Sequence, residues 1–127
     1  MSKSGVTHGT PSAKQRDASF KKKFARNFGK MFRESIGTDV RIITGDATFQ
    51  AHTFMLKAQS SVFAAMFNNN MIENQTKTLT ISDFDDVVVK GMLEYLYTGQ
   101  PGCMAERAPE LLQIAEKYDL DETEGGL

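Results

Sequence analysis

The pattern of apolar and polar positions changes its period several times along the chain. From about Asp17 onward, bulky apolar residues recur at the spacing of one helical face, and these are Phe20, Phe24, Phe28, Met31 and Phe32. Lys and Arg residues occupy the opposite side. This pattern predicts an amphipathic helix that ends near residues 35–38. Residues 1–16 are polar and show no period, so we expect a flexible basic tail before the helix.

Two β-rich runs follow this helix. Residues 39–44 and 48–51 flank the turn-forming pair Gly45-Asp46, which predicts a β-hairpin. A third run, residues 78–81, alternates so that Leu79 and Ile81 lie on one face. Together the runs predict three strands.

Helical spacing returns between and after the strands. Residues 53–59 predict a short helix that carries Phe54, Met55 and Leu56, and Ser60 is a natural N-cap for the next helix. That second helix places three apolar residues on one face, namely Phe63, Met66 and Phe67. We expect it to stop at residues 68–70, which are all Asn and favour turns.

Two longer helices are expected in the second half of the chain. The first runs from about Val87 to Tyr97 and is closed by Gly99. Its apolar stripe consists of Val88, Val89, Met92, Leu93 and Leu96. The second starts near Pro109 and is expected to pack through Leu111, Leu112, Ala115 and Tyr118.

Both periods occur within one short chain, which predicts a single α+β domain. The 127 residues suffice for one domain with a real core, which we expect to span residues 17–120. Residues 121–127 are acidic and Gly-containing, so we expect a flexible tail there. Apolar residues make up 40% and charged residues 24%, as in soluble globular proteins. No run reaches the roughly 20 apolar residues of a membrane span and the N-terminus lacks a signal-peptide pattern, so we expect a cytoplasmic or nuclear protein.

The near-zero net charge conceals a division along the chain. Residues 1–36 contain nine Lys or Arg and two acidic residues (+7), and residues 37–127 contain six and fourteen (−8). The basic first helix could pack on its own domain, bury its stripe against another copy or partner, or attach to a membrane or nucleic acid. No aromatic residue interleaves with the cations on their own side of the helix, which disfavours base stacking.

Few residues are candidates for chemistry. Cys103 is the only cysteine and His8 has no second ligand nearby, so neither a disulfide nor a metal site is predicted. Asp39 and His52 could form an acid/base pair, but no nucleophile or ligand set completes a catalytic site around them. We therefore expect neither an enzyme nor a cofactor.

Four motifs in this order resemble the BTB/POZ domain. They are Asp39-Val40, Phe49-x-Ala51-His52-x-x-x-Leu56, Ser60-x-Val62-Phe63-x-x-Met66-Phe67 and Leu93-x-Tyr95-Leu96-Tyr97-Thr98-Gly99. The segment Glu116-Lys117-Tyr118-Asp119-Leu120 extends the resemblance, which covers residues 17–120. It is most similar to the BTB domain of MATH-BTB ubiquitin-ligase adaptors, because the helix before Asp39 resembles their dimerisation helix.

This resemblance implies a fold and a function. The fold is a small three-stranded sheet flanked by about five helices with an N-terminal dimerisation helix. The function is non-enzymatic: protein–protein interaction and dimerisation, in an adaptor that links a partner or substrate to a cullin-RING E3 ubiquitin ligase. The alternative is a BTB dimerisation module without cullin binding, in a transcriptional or scaffold role or as a truncated competitor of longer BTB proteins. No nucleic acid, membrane or small-molecule substrate is expected.

The resemblance also assigns roles to residues of this chain. The dimer interface would include Phe24, Phe28, Met31 and Met55. The cullin contact would be made by Met71 and Glu73, the hydrophobic-x-Glu element of cullin-binding members. Asp39 and His52 become polar residues of the structural core.

The sequence departs from the family at two points. Ser61 stands where many members have Pro at the first helical position. Family domains also continue past the Lys117-Tyr118 segment into another helix, and substrate receptors add a MATH, kelch or zinc-finger segment. We therefore expect a domain truncated at its C-terminal end, with apolar surface left exposed on its last helices.

Overall fold

A computed structural model describes residues 12–101 and 105–120 of the chain. Of the tails expected at residues 1–16 and 121–127, only residues 12–16 lie within this range. His8 and Cys103 lie outside it. The elements in chain order are α1 Ala13–Arg33, β1 Val40–Ile43, β2 Thr48–Ala51, α2 Thr53–Gln59, α3 Ser61–Met66, α4 Ile72–Thr76, β3 Thr78–Thr80, α5 Asp86–Thr98, a 3₁₀ turn Ala105–Arg107 and α6 Ala108–Lys117. The expected α+β class is confirmed.

The described strands form one sheet in the order β2-β1-β3. β1 pairs antiparallel with β2, with Val40 opposite Ala51, and parallel with β3, with Ile42 opposite Leu79. The Thr44 hydroxyl closes the hairpin turn by accepting hydrogen bonds from the N–H groups of Asp46 and Ala47. The predicted hairpin and third strand are therefore confirmed.

Helix α1 begins at Ala13, four residues before the expected start. The early start has a local cause, because the Ser12 side chain accepts from the Gln15 N–H while the Gln15 side chain accepts from the Ser12 N–H. The C-terminal half of α1 packs on α5, and the Phe32 ring stacks on Tyr97 with centroids 5.0 Å apart. The N-terminal half, residues 13–24, is exposed along its whole length.

The Ser60 hydroxyl joins two parts of the fold. It accepts a 2.9 Å hydrogen bond from the Phe63 N–H, which confirms the predicted N-cap of α3, and it donates a 2.6 Å bond to the Tyr118 carbonyl. The Phe63 ring also stacks on Tyr118, with centroids 4.6 Å apart. These contacts hold α3 against the end of α6.

Helix α4 was not anticipated from the sequence. Its five residues, Ile72–Thr76, carry no apolar stripe and end at Lys77, which adopts a left-handed backbone with φ 54°. Such a short turn has no repeat by which a helical period could be recognised. Its N-terminal end carries two exposed apolar residues, Met71 and Ile72.

The apolar stripe of α5 is fully buried, as predicted. Asp85 caps its N-terminus by accepting from the Val88 N–H, and Gly99 ends it with φ 80°, a conformation that glycine adopts without strain. Charged side chains join the start of α5 to α6, since Arg107 bonds Asp85 and Lys117 bonds Asp83. The hydrogen bond from Arg107 lowers the pKa of Asp85.

One expectation for α6 is wrong. Leu112 is 51% exposed, whereas Ile114 is buried together with Leu111, Ala115 and Tyr118. The buried positions fall at i, i+3, i+4 and i+7, which is the regular spacing of one helical face. Leu112 lies one residue off this spacing and points away from the core.

Candidate interaction surfaces

The aromatic stripe of α1 divides between the core and the surface. Phe32 is buried and Phe28 packs partly on the core, but Phe20, Phe24 and Met31 are 60%, 51% and 36% exposed. The rings form a continuous row: Phe20 stacks on Phe24 at 5.5 Å, and Phe24 meets Phe28 edge to face at 4.5 Å. Two of the residues predicted for the dimer interface, Phe24 and Met31, are thus available to a partner, and Phe28 is available in part.

A groove of about 840 Å³ runs beside this row, between α1, α2 and the C-terminal end of α5. Phe24, Phe28 and Met55 all line it. Met55 is only 8% exposed, so most of its surface is already buried in the core of its own chain. Three of the four residues predicted for the dimer interface therefore line one groove, and the fourth, Met31, does not.

Phe54 is a surface residue that was not selected as a candidate from the sequence. It is 60% exposed and lies between the α1 groove and a shallow cleft of about 510 Å³ lined by Asp39, Lys57 and Lys77. The signal was present in the spacing: because Met55 and Leu56 are buried, helical geometry turns Phe54 outward with Lys57 and Ala58. Phe54 extends the apolar surface of α1 onto α2.

A second exposed apolar site lies where α3 gives way to α4. Met71 is the N-cap residue of α4 and is 43% exposed, and Ile72 is 62% exposed. Glu73 is half-buried, and its Oε1 atom is shielded from solvent without a hydrogen-bond partner among residues 12–101 and 105–120. The structure thus places an exposed Met two residues before a carboxylate oxygen that lacks a donor.

The side chains of Asp39 and His52 both serve hydrogen bonds within the fold. The Asp39 Oδ1 accepts a 2.7 Å bond from the Thr53 N–H at the start of α2. The His52 ring lies between two oxygens, with Nδ1 2.6 Å from the Tyr97 hydroxyl and Nε2 2.6 Å from the Ile36 carbonyl. The Ile36 carbonyl can only accept, so Nε2 donates to it; in the neutral ring, Nδ1 then accepts from the Tyr97 hydroxyl.

Tyr97 completes this network. Its hydroxyl oxygen also accepts a 2.9 Å bond from the backbone N–H of His52, so the hydroxyl both donates and accepts. Burial raises the pKa of Tyr97 to about 12, which keeps the hydroxyl protonated and able to donate. The network links the loop after α1, the start of α2 and the end of α5.

The part of the chain that the structure describes contains neither a metal site nor a membrane-spanning helix. No group of three or more His, Cys, Asp or Glu residues there is arranged to hold a metal ion. None of the helices in that part is long and apolar enough to cross a membrane.

Comparison with known proteins agrees with this architecture. The family model for the BTB/POZ domain matches residues 28–124, which is well over half of the chain and begins within α1. Among solved structures, the BTB domain of zebrafish PATZ1 superposes with a TM-score of 0.60, at 24% sequence identity, covering 88% of this chain and 87% of that one. The fold is therefore shared, and the chain belongs to the BTB/POZ domain family, whose members are protein–protein interaction and dimerisation modules.

Proposed function

We propose that this BTB domain is an adaptor that links a partner or substrate to a cullin-RING ubiquitin ligase, most like the BTB domains of MATH-BTB adaptors. In this proposal it dimerises through α1, contacts the cullin through Met71 and Glu73, acts in the cytoplasm or nucleus, and has no catalytic activity of its own. The observation that carries the cullin contact is the pairing of exposed Met71 with a carboxylate oxygen of Glu73 that has no hydrogen-bond partner in the described part of the chain.

The Met71 side chain suits a protein partner. It is flexible enough to fill an irregular apolar pocket, and Ile72 beside it adds further exposed apolar surface. Burying a Met side chain contributes about 1.5–3 kcal/mol. A partner that covers this turn therefore gains binding energy without any rearrangement of the buried core.

The carboxylate of Glu73 would add a directional hydrogen bond to this contact. A shielded polar atom without a hydrogen bond costs about 1–3 kcal/mol, and the cost is higher when the group is charged. Rotation of the Glu73 side chain would bring the shielded Oε1 to the surface, where a donor from the cullin would supply the missing bond. Charge-assisted bonds of this kind are short and strong. Glu73 would then favour a partner that presents a donor next to an apolar pocket.

The exposed row on α1 supports a second candidate function. Phe20, Phe24 and Met31 would serve a dimer equally well if no cullin were bound. The chain would then be a dimerisation module in a transcriptional or scaffold assembly, or a competitor that occupies the dimer face of longer BTB proteins. Only the contact at Met71 and Glu73 distinguishes the two functions.

A binding measurement with the third cullin paralogue separates them. The purified chain is titrated with the N-terminal domain of that cullin, alongside Met71→Glu and the control Leu112→Glu, which changes a similarly exposed apolar residue on α6. We expect Met71→Glu to weaken binding by about 10- to 100-fold, the loss of the burial energy of one Met side chain, and Leu112→Glu to have little effect. Thermal unfolding of both variants verifies that they fold.

Two results would contradict the cullin proposal. One is a wild-type chain that shows no binding to the cullin at micromolar concentration. The other is a Met71→Glu variant that binds as tightly as the wild type. Either result would leave dimerisation without cullin binding as the better description.

A further inference from the structure

The helix that carries the exposed aromatic row is strongly basic. Within Ala13–Arg33 there are eight Lys or Arg residues and one Asp, a net charge of +7. Asp17 forms an ion pair with Lys21 at 3.2 Å, and Arg33 forms one with Glu94 on α5 at 3.6 Å. Five cations have no ion pair among the residues that the structure describes, namely Lys14, Lys22, Lys23, Arg26 and Lys30.

Helical geometry places cations on both sides of the exposed row. Lys21 lies three residues before Phe24, and Lys23 lies three residues after Phe20. Residues three apart are neighbours on a helix surface, so the two lysines border the row from opposite sides. Lys21 is also the only charged residue among the described residues that line the α1 groove. The docking surface therefore has an apolar centre and a positive rim.

A second copy of this chain would be a poor electrostatic match for such a surface. In a two-fold symmetric contact the same patch meets itself, so each positive rim would face another positive rim. Packed helices lie about 8–10 Å apart, which is comparable with the Debye length of about 10 Å at 0.1 M salt. The repulsion between the two rims is thus only partly screened under ordinary conditions.

We propose that the α1 surface prefers, over a second copy of this chain, another BTB protein whose dimerisation helix has Asp or Glu residues beside its apolar stripe. The inference rests on the proposed dimerisation through α1 and adds the chemistry of the partner to it. The apolar centre supplies attraction to either partner. The charged rim decides between them, because like charges across an interface suppress the wrong pair.

The chain itself provides the acidic partner for a test. Lys21→Glu/Lys23→Glu keeps the aromatic row and reverses the charge on both sides of it, and Glu and Lys have similar helix propensities. Dissociation constants are measured for wild type with itself and for wild type with this variant, with one chain fluorescently labelled. At 0.1 M NaCl we expect the mixed dimer to be tighter by at least about tenfold. At 1 M NaCl, where the Debye length is about 3 Å, the ratio should fall below about threefold.

Two controls localise the effect. Arg41→Glu/Lys90→Glu makes the same change in net charge at exposed positions outside α1, and it should bind the wild type no more tightly than the wild type binds itself. Adding Phe24→Asp to the acidic variant should abolish the mixed dimer, because it places a charge in the apolar centre.

The inference is overturned if the wild type binds itself as tightly as it binds the acidic variant at 0.1 M NaCl. It is also overturned if Arg41→Glu/Lys90→Glu increases the affinity for the wild type as much as the acidic variant does. In those cases dimerisation stands and only the charge preference fails. If the wild type forms a dimer neither with itself nor with the acidic variant, the proposed dimerisation through α1 is wrong as well. Neither outcome bears on the cullin titration, which reports on Met71.

Discussion

Replacing Tyr97 by Phe tests the buried network around His52. The substitution removes one oxygen and leaves the ring, which continues to stack on Phe32. That oxygen accepts from the His52 backbone N–H at 2.9 Å and lies 2.6 Å from His52 Nδ1. Both groups are buried, since His52 is 4% exposed. The variant therefore leaves one donor and one acceptor without a partner inside the fold.

The magnitude follows from the two orphaned groups. Each buried polar group left without its hydrogen bond costs about 1–3 kcal/mol, and the loss is reduced because Phe has no hydroxyl to desolvate. We expect Tyr97→Phe to lower the free energy of unfolding by about 2–4 kcal/mol, a large share of the roughly 5–15 kcal/mol of a typical domain. Tyr97→Leu also removes the stacked ring and should lose more.

Urea unfolding followed by far-ultraviolet circular dichroism measures this loss, which suits a chain without Trp. With a slope of about 1–3 kcal/mol per molar urea, the midpoint should fall by roughly 0.7–4 M. The reasoning is refuted if Tyr97→Phe loses less than about 0.5 kcal/mol with an unchanged slope. The His52 groups would then have found other partners, and the network would not be what fixes the loop after α1 to α5.

The remaining predictions concern helix packing and pH. Gly29→Val should destabilise the fold by about 1–3 kcal/mol in the same assay, because a Cβ at Gly29 would lie 2.9 Å from the Thr98 Cγ2; Gly45→Ala, with open space around it, should be nearly neutral. Burial raises the pKa of Tyr97 from 10.0 to about 12, so its contribution is fully present below pH 10 and is lost as the pH rises to about 12. Between pH 10 and pH 12 the free energy of unfolding of the wild type should therefore fall by up to about 3 kcal/mol more than that of Tyr97→Phe. Tyr118, whose pKa burial also raises, is present in both proteins and cancels in the difference.

The sequence was informative wherever a period extended over several turns. The stripe of α5 and the glycine that ends it were both predicted, because five apolar residues at helical spacing followed by Gly99 leave little choice. Leu112 and Ile114 are both apolar, and only the spacing of the helical face shows that Ile114 is the buried one. Helix α4 could not be anticipated, since five residues without an apolar face present no period.

The candidate surfaces were harder to predict for a different physical reason. The period of α1 groups Phe20 with Phe32 on one stripe, yet one is 60% exposed and the other 6%. Which end of the stripe is covered depends on where α5 ends, at Thr98 and Gly99, and that is a tertiary property. The lack of a donor to Glu73 Oε1 among the described residues likewise depends on how the turn packs, which the local sequence does not reveal.

The two proposed surfaces share a property that bears on how they can change. Phe20, Phe24 and Met71 are exposed, so the packing of the core does not depend on their contacts in the way it depends on Phe32 or Ile114. Surface substitutions away from capping side chains, strained backbone and buried networks usually alter stability by less than about 0.5 kcal/mol. Met71 is the N-cap residue of α4, but its side chain makes no capping hydrogen bond. Partner preference at α1 and cullin contact at Met71 can therefore be altered separately from the fold.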